Sequence, residues 1–144
     1  MLSEIAAWNR RFSALEKHVR EAHSFETNAG NTLHAWIMEQ REAGLQGRLA
    51  VDRRLRLTAL GFLFTTNAAV LKQQTWDLHL DALKETVANR PQYEPPSRKT
   101  ARVSALDRWV RRQQELRSAG LLDQARVRTL ALAAPHLFTE KISK

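Results

Sequence analysis

The residues in this chain best suited to chemistry are arginines. Arg53, Arg54 and Arg56 stand within one helical turn, with Arg48 shortly ahead of them, and Arg126 and Arg128 form a thinner second group. The densest run holds Arg98, Lys99, Arg102, Arg108, Arg111 and Arg112 against Asp107 alone. A guanidinium is a planar fork of donors that never loses its charge, and it pairs with phosphate or with guanine edges through two parallel hydrogen bonds. The chemistry on offer is therefore recognition of a polyanion. Arg98, Lys99 and Arg102 also lie just ahead of a predicted helix start, where free backbone N–H groups favour phosphate. The competing reading of every one of these groups is a charged face or loop that does no more than stay solvated.

Catalysis finds little footing. His18 and His23 do not share an i, i+4 face, and His34, His79 and His136 have no neighbour at ligand spacing. With no cysteine, no His-Glu-x-x-His, no glycine-rich phosphate loop and no Gly-x-Ser-x-Gly, the chain is expected to be no enzyme and to hold no metal or cofactor. Trp8, Trp36, Trp76 and Trp109 each fall on the apolar stripe of a predicted helix. Core packing is the expectation for them, since a base-stacking platform needs exposed rings in a basic groove.

These side chains must be positioned by helices. Trp8, Phe12, Leu15 and Val19 recur at helical spacing and predict a first helix from Ser3 to about His23. A second starts at Asn31 or Thr32 and ends near Gly44, Gly47 makes a turn, and a third runs from about Val51 to Leu60. Phe62–Phe64 should fold back onto that bundle. Thr65–Asn67 is the one plausible boundary. Beyond it, Trp76, Leu80, Leu83 and Val87 repeat the first stripe, shifted by 68 residues, in a helix from Asn67 to about Asn89. The loop Arg90–Val103 holds Pro91, Pro95 and Pro96 and cannot be helical throughout. Ser104 and Asp107 have capping-box spacing for a helix Ala105–Arg117, Gly120 turns the chain, and Asp123 caps a last helix that Pro135 stops. Leu137 and Phe138 mirror Phe62–Phe64, and Lys141–Lys144 should fray. No run alternates with period two, so no sheet is predicted.

The chain thus repeats itself. LHAWIMEQREAGLQGRL from Leu33 and LDRWVRRQQELRSAGLL from Leu106 align without a gap at a shift of 73 residues. They share Leu33/Leu106, Trp36/Trp109, Gln40/Gln113, Glu42/Glu115, Gly47/Gly120 and Leu49/Leu122. On the same shift Arg126 takes the place of Arg53. Leu57/Leu130 and Leu60/Ala133 face inward, which points Arg53 and Arg126 outward. Outward arginines near the start of a helix that follows a tight turn are the means by which helix-turn-helix proteins enter a major groove.

Net charge agrees with such a partner. The formal charge is +8 and the pI near 10.8. The excess of Lys and Arg over Asp and Glu is +2 in residues 1–71 and +6 in residues 72–144. A basic excess speaks about partners and not about fold. MLSEIAAWNRR lacks an apolar core behind a basic start, and Leu57–Phe64 is far shorter than the roughly 20 residues of a membrane span. No secretory leader and no membrane association are expected, and the location expected is cytoplasmic, at the nucleoid if DNA is bound.

The pattern Trp helix, Leu-x-x-Trp-(Ile/Val)-x-x-Gln-(Arg), Gly-x-Leu, Arg and Leu-Gly-Phe resembles the helicase-associated domain family. The first copy carries WIMEQR, GRL and LTALGF; in the second, Gln114 stands where the family favours Arg, and Ala133-Ala134-Pro135 replaces Leu-Gly-Phe. The resemblance implies an all-α chain of two tandem three-helix bundles, each helix-turn-helix-like in the Myb or homeodomain manner, over residues 1–66 and 67–144. It implies a nucleic-acid-binding role without catalytic residues, and the helicase motor is not expected, for there is no GxxxxGK[ST]. The expected partner is double-stranded DNA, contacted through Arg48, Arg53, Arg54, Arg56, Arg98, Lys99, Arg102, Arg112, Arg126 and Arg128. RNA stays open as a partner. The alternative is a protein-interaction module docking onto a replication, recombination or helicase complex, motivated by Val70 and Leu71, which sit off the Trp76 stripe and need a neighbour. That neighbour could equally be the other half of the chain.

Overall fold

A computed structural model of the chain describes residues 2–97 and 102–138. Among the described residues every regular element is a helix: α1 (Leu2–Ala22), α2 (Thr32–Leu45), α3 (Val51–Leu60), α4 (Ala68–Asn89), α5 (Ala105–Ser118), α6 (Gln124–Ala133) and α7 (Pro135–Phe138). Two compact units result, Met1–Trp76 and Asp77–Lys144, and the division falls inside α4. The expected fraying of Lys141–Lys144 lies outside the described residues.

In the first unit, α1 buries Trp8, Phe12 and Leu15 on the predicted stripe. It already includes Leu2, so Ser3 does not cap it. Asn31 caps α2 by accepting from the Leu33 N–H at 2.9 Å. Facing α1, α2 buries Leu33, Trp36 and Ile37. Trp8 stacks on Phe12 with ring centres 5.3 Å apart and meets Trp36 at 5.7 Å. Gln40 lies on the same buried stripe for a polar reason: its Oε1 accepts from the Trp8 indole N–H at 3.0 Å. An indole donor buried without a partner is costly, and Gln40 removes that cost. Beyond α3, Phe62 turns back into the core against Phe25, and Phe64 packs on Phe62. Phe64 comes so close to α2 that a Cβ on Gly44 would stand 2.2 Å from its ring. Leu71 is buried as well, leaving Val70 exposed.

The second unit follows the same local rules. Leu80, Leu83, Leu106, Val110, Leu130 and Phe138 are buried. Ser104 and Asp107 form the full capping box of α5, with Asp107 in the place of the usual glutamate. Asp123 caps α6 by accepting from the Ala125 N–H at 2.7 Å. Pro135 does more than end α6. It opens the short α7, where its fixed φ and missing N–H suit a first helical position. Trp109 is only half-buried, and it stacks on the buried His79 ring at 5.1 Å.

The helix bounds carry the internal shift. α2 and α5 have 14 residues each, α3 and α6 have 10 each, and both pairs begin 73 residues apart. Gly47 and Gly120 turn the chain with φ of 70° and 72°, a left-handed conformation that disfavours any side chain with a Cβ. Ala50 and Asp123 then lead into α3 and α6 with nearly equal backbone angles. The earlier shift of 68 residues extends to Phe25 and Tyr93, both buried. The extra residues of the second stretch therefore fall between Tyr93 and Ser104.

Candidate nucleic-acid interface

Of the α3 arginines, Arg54 and Arg56 are exposed and Arg53 is half-buried, and all three guanidiniums lie over aromatic rings. Arg53 bends back over the Trp8 ring at 5.0 Å and pairs with Glu4 at 3.0 Å. Arg56 covers Trp8 and Phe12, at 5.0 and 4.5 Å, and donates to the Asn9 amide oxygen at 2.7 Å. Arg54 lies over Phe64 at 4.6 Å and donates to the Gly44 carbonyl at 3.0 Å. The physical cause is the aromatic density of α1 and of the segment after α3. A guanidinium at an exposed site gains about 0.5–1 kcal/mol over a ring face, while its stem covers apolar surface. Arg48, in the turn, donates to Gln46 at 2.7 Å and remains exposed. Its surroundings are mixed in charge: a recess of about 370 Å³ there is lined by Glu39, Glu42, Arg48 and Arg53 among others.

Beside the exposed Asp52, Arg54 and Arg56, α3 also presents an apolar stripe outward. Val51 is 75% exposed and Leu55, one turn on, is 64% exposed. At the shifted positions α6 presents Gln124 and Arg128, both exposed. Arg128 has no hydrogen-bond or ion-pair partner among the described residues. Arg126 is half-buried and engaged with neighbouring groups.

The cationic face of the second unit belongs to α5. Arg108, Arg111 and Arg112 stand at i, i+3 and i+4 and so share one side of the helix. At the same places α2 carries Ala35, Met38 and Glu39. With Val103 and Glu115 the three arginines line a recess of about 380 Å³. Arg108 donates to the Val103 carbonyl at 2.9 Å, and Arg111 donates to the carbonyls of Pro95 and Pro96. Arg112 is exposed, as is Arg102, and neither has a partner among the described residues. Arg98 and Lys99, expected to join them, lie outside the described residues.

Behind this face sits a buried polar pair that sequence reasoning missed. The Tyr93 hydroxyl donates to Asp107 Oδ1 at 2.6 Å, and Asp107 Oδ2 accepts from the Ser104 N–H at 2.9 Å. Burial pushes the Tyr93 phenol well above its ordinary range, and the Asp107 carboxylate adds to the shift. For Asp107 itself burial works upward, but the hydrogen bonds from Tyr93 and Ser104 prevail and hold the carboxyl below its usual range. Sequence reasoning also missed Arg41, which is only 5% exposed. It lies over Phe62 at 5.1 Å, donates to the Leu63 carbonyl at 3.4 Å, and has one buried nitrogen without a partner among the described residues. Desolvation lowers its pKa, with Glu26 acting in the opposite sense. One signal for Gln40 was available, namely a glutamine recurring at the same place on both apolar stripes. For Arg41 the signal was its place as the closing Arg of the Leu-x-x-Trp-Ile-x-x-Gln-Arg pattern.

Residues 6–65 match the family model of the helicase associated domain. The match begins in α1, takes in α2 and α3, and ends past Phe64, inside the first compact unit. No curated protein and no solved structure matches the chain. A helicase-associated region is consistent with a non-catalytic module. Among the described residues no three His, Asp or Glu are grouped to hold a metal ion, and no helix is long and apolar enough to cross a membrane.

Proposed function

We propose that the chain is a non-enzymatic nucleic-acid-binding protein of two tandem helix-turn-helix-like modules, with duplex DNA as its partner. The observation that carries the reading is the arginine face of α5, where Arg108, Arg111 and Arg112 line one recess and Arg102 and Arg112 have no partner among the described residues. The equal lengths of α2 and α5 and of α3 and α6 support a second copy of the helicase-associated fold in residues 67–144. On this reading the two copies divide the work. The first spends its α3 arginines on its own aromatic rings. The second turns Arg102, Arg112 and Arg128 to the phosphates, and Gln124 and Arg128 stand where a recognition helix meets base edges.

Phosphate contact dictates the test. Roughly six contacts give a log–log salt slope near −5. A mobility-shift series with duplex DNA, single-stranded DNA and RNA across salt measures it; a flat response, or no binding at low salt, sinks the reading. A second reading is favoured by one observation: Val51 and Leu55 form an exposed apolar stripe on α3. Protein docking through the first module, onto a replication, recombination or helicase complex, uses that stripe. A partner captured from lysate that survives nuclease treatment and is lost in Leu55→Lys supports it.

A further inference from the structure

We infer that the recess on α5 is a site for a dianionic phosphomonoester, the 5′-phosphate of a nucleotide at the end of a strand. The inference rests on the nucleic-acid-binding reading and narrows it from phosphates in general to a terminal one.

Charge comes first. Three guanidiniums and the Glu115 carboxylate line the recess, an excess of two positive charges. A phosphomonoester carries about −1.5 to −2 at pH 7, whereas each bridging phosphodiester carries one charge. The hydrogen bonds that Arg108 and Arg111 already make go to backbone carbonyls of Val103, Pro95 and Pro96. A carbonyl holds a guanidinium in place without neutralising it. Both groups are thus ordered and still cationic, so less conformational entropy is lost when an anion arrives. Arg111 also has its Nε buried without a partner among the described residues. A desolvated cation of that kind is stabilised by any anion brought alongside.

Shape agrees. The recess, about 380 Å³, falls in the range of roughly 300–1,000 Å³ typical of small-ligand clefts. A phosphate within a duplex lies on a convex ridge with two free oxygens. A terminal phosphate has a third and projects past the last base, so it can enter a recess. Arg112 has no partner among the described residues to release, and the Val103 side of the recess offers an aliphatic wall to the attached sugar and base.

The test compares a short blunt duplex bearing 5′-phosphates with the same duplex bearing 5′-hydroxyls, and adds thymidine 5′-monophosphate as the free-nucleotide probe. The intact chain should bind the phosphorylated duplex about tenfold more tightly, the size of one strong charge-assisted contact. Arg112→Gln and Arg108→Gln should each erase the preference with the helical circular dichroism unchanged. Equal binding of both duplexes overturns the inference and leaves the nucleic-acid reading standing. A preference that survives both substitutions overturns the assignment to this recess. If neither duplex binds at low salt but the monophosphate does, and Arg112→Gln weakens it, the recess stands with free nucleotide as its source and the duplex reading falls. Binding of none of the three overturns both.

Discussion

Replacing Arg56 with alanine separates a structural arginine from a binding one. In the wild-type chain its guanidinium covers Phe12 at 4.5 Å and Trp8 at 5.0 Å and donates to Asn9 at 2.7 Å. Each ring contact at a partly exposed site contributes about 0.5–1 kcal/mol, and the hydrogen bond a net of about 0.5–1.5 kcal/mol. Arg53 shares the Trp8 face, so the terms overlap and the expected loss is about 2 kcal/mol. Urea unfolding followed by tryptophan fluorescence should show the midpoint falling by roughly 1 M, given a slope of about 1–3 kcal/mol/M. Duplex affinity, measured well below that midpoint, should change by less than about twofold, because the Arg56 guanidinium is engaged by Trp8, Phe12 and Asn9. Arg112→Ala should do the reverse. With no partner among the described residues to lose, stability should stay within about 0.5 kcal/mol, while affinity drops and the log–log salt slope loses about 0.9. Unchanged unfolding for Arg56→Ala together with a tenfold loss of binding would refute the division between the two modules.

Trp36→Ala should cost about 3–5 kcal/mol, since the ring is buried against Trp8, and a near-neutral result in thermal or urea unfolding contradicts that packing. Gly44→Ala gains helix propensity of about 1 kcal/mol yet drives a Cβ into the Phe64 ring; a net loss of about 1–3 kcal/mol is expected, relieved in the double variant with Phe64→Leu. The Asp107 carboxyl is depressed on folding, so its contribution is complete above the unfolded value of about 3.9 and disappears as pH falls through the folded one. Asp107→Asn should flatten the acid limb of stability against pH. Tyr93 is shifted the opposite way, so its contribution is complete below about pH 10 and erodes above it; Tyr93→Phe should flatten the alkaline limb.

Much of this protein was written in local patterns. The stripe Trp8, Phe12, Leu15, the glycine turns at Gly47 and Gly120, and the caps at Asn31, Ser104 and Asp123 act within a few residues of chain, so spacing and residue type were enough to place the helices. The 73-residue shift between Leu33–Leu49 and Leu106–Leu122 was equally plain, because it depends on order along the sequence alone. The direction of a long side chain was not. Arg53, Arg54 and Arg56 have outward backbone positions, but their guanidiniums reach residues far away in sequence: Glu4, Trp8, Asn9, Phe12, Gly44 and Phe64. Periodicity fixes where a Cβ points and says nothing about where a flexible stem ends. Tyr93 and Asp107 are joined across a proline-bearing loop whose path no periodicity describes.

From the sequence alone came the helical character, the order of the elements, the basic excess and the likeness to a helicase-associated domain. Those follow from short-range sterics, hydrophobic spacing and a count of charges. Only the tertiary structure decided which arginines are held by aromatic rings, which share a recess on α5, and which face of α3 is greasy. Such outcomes depend on distances between segments far apart in the chain, and a linear pattern does not contain them.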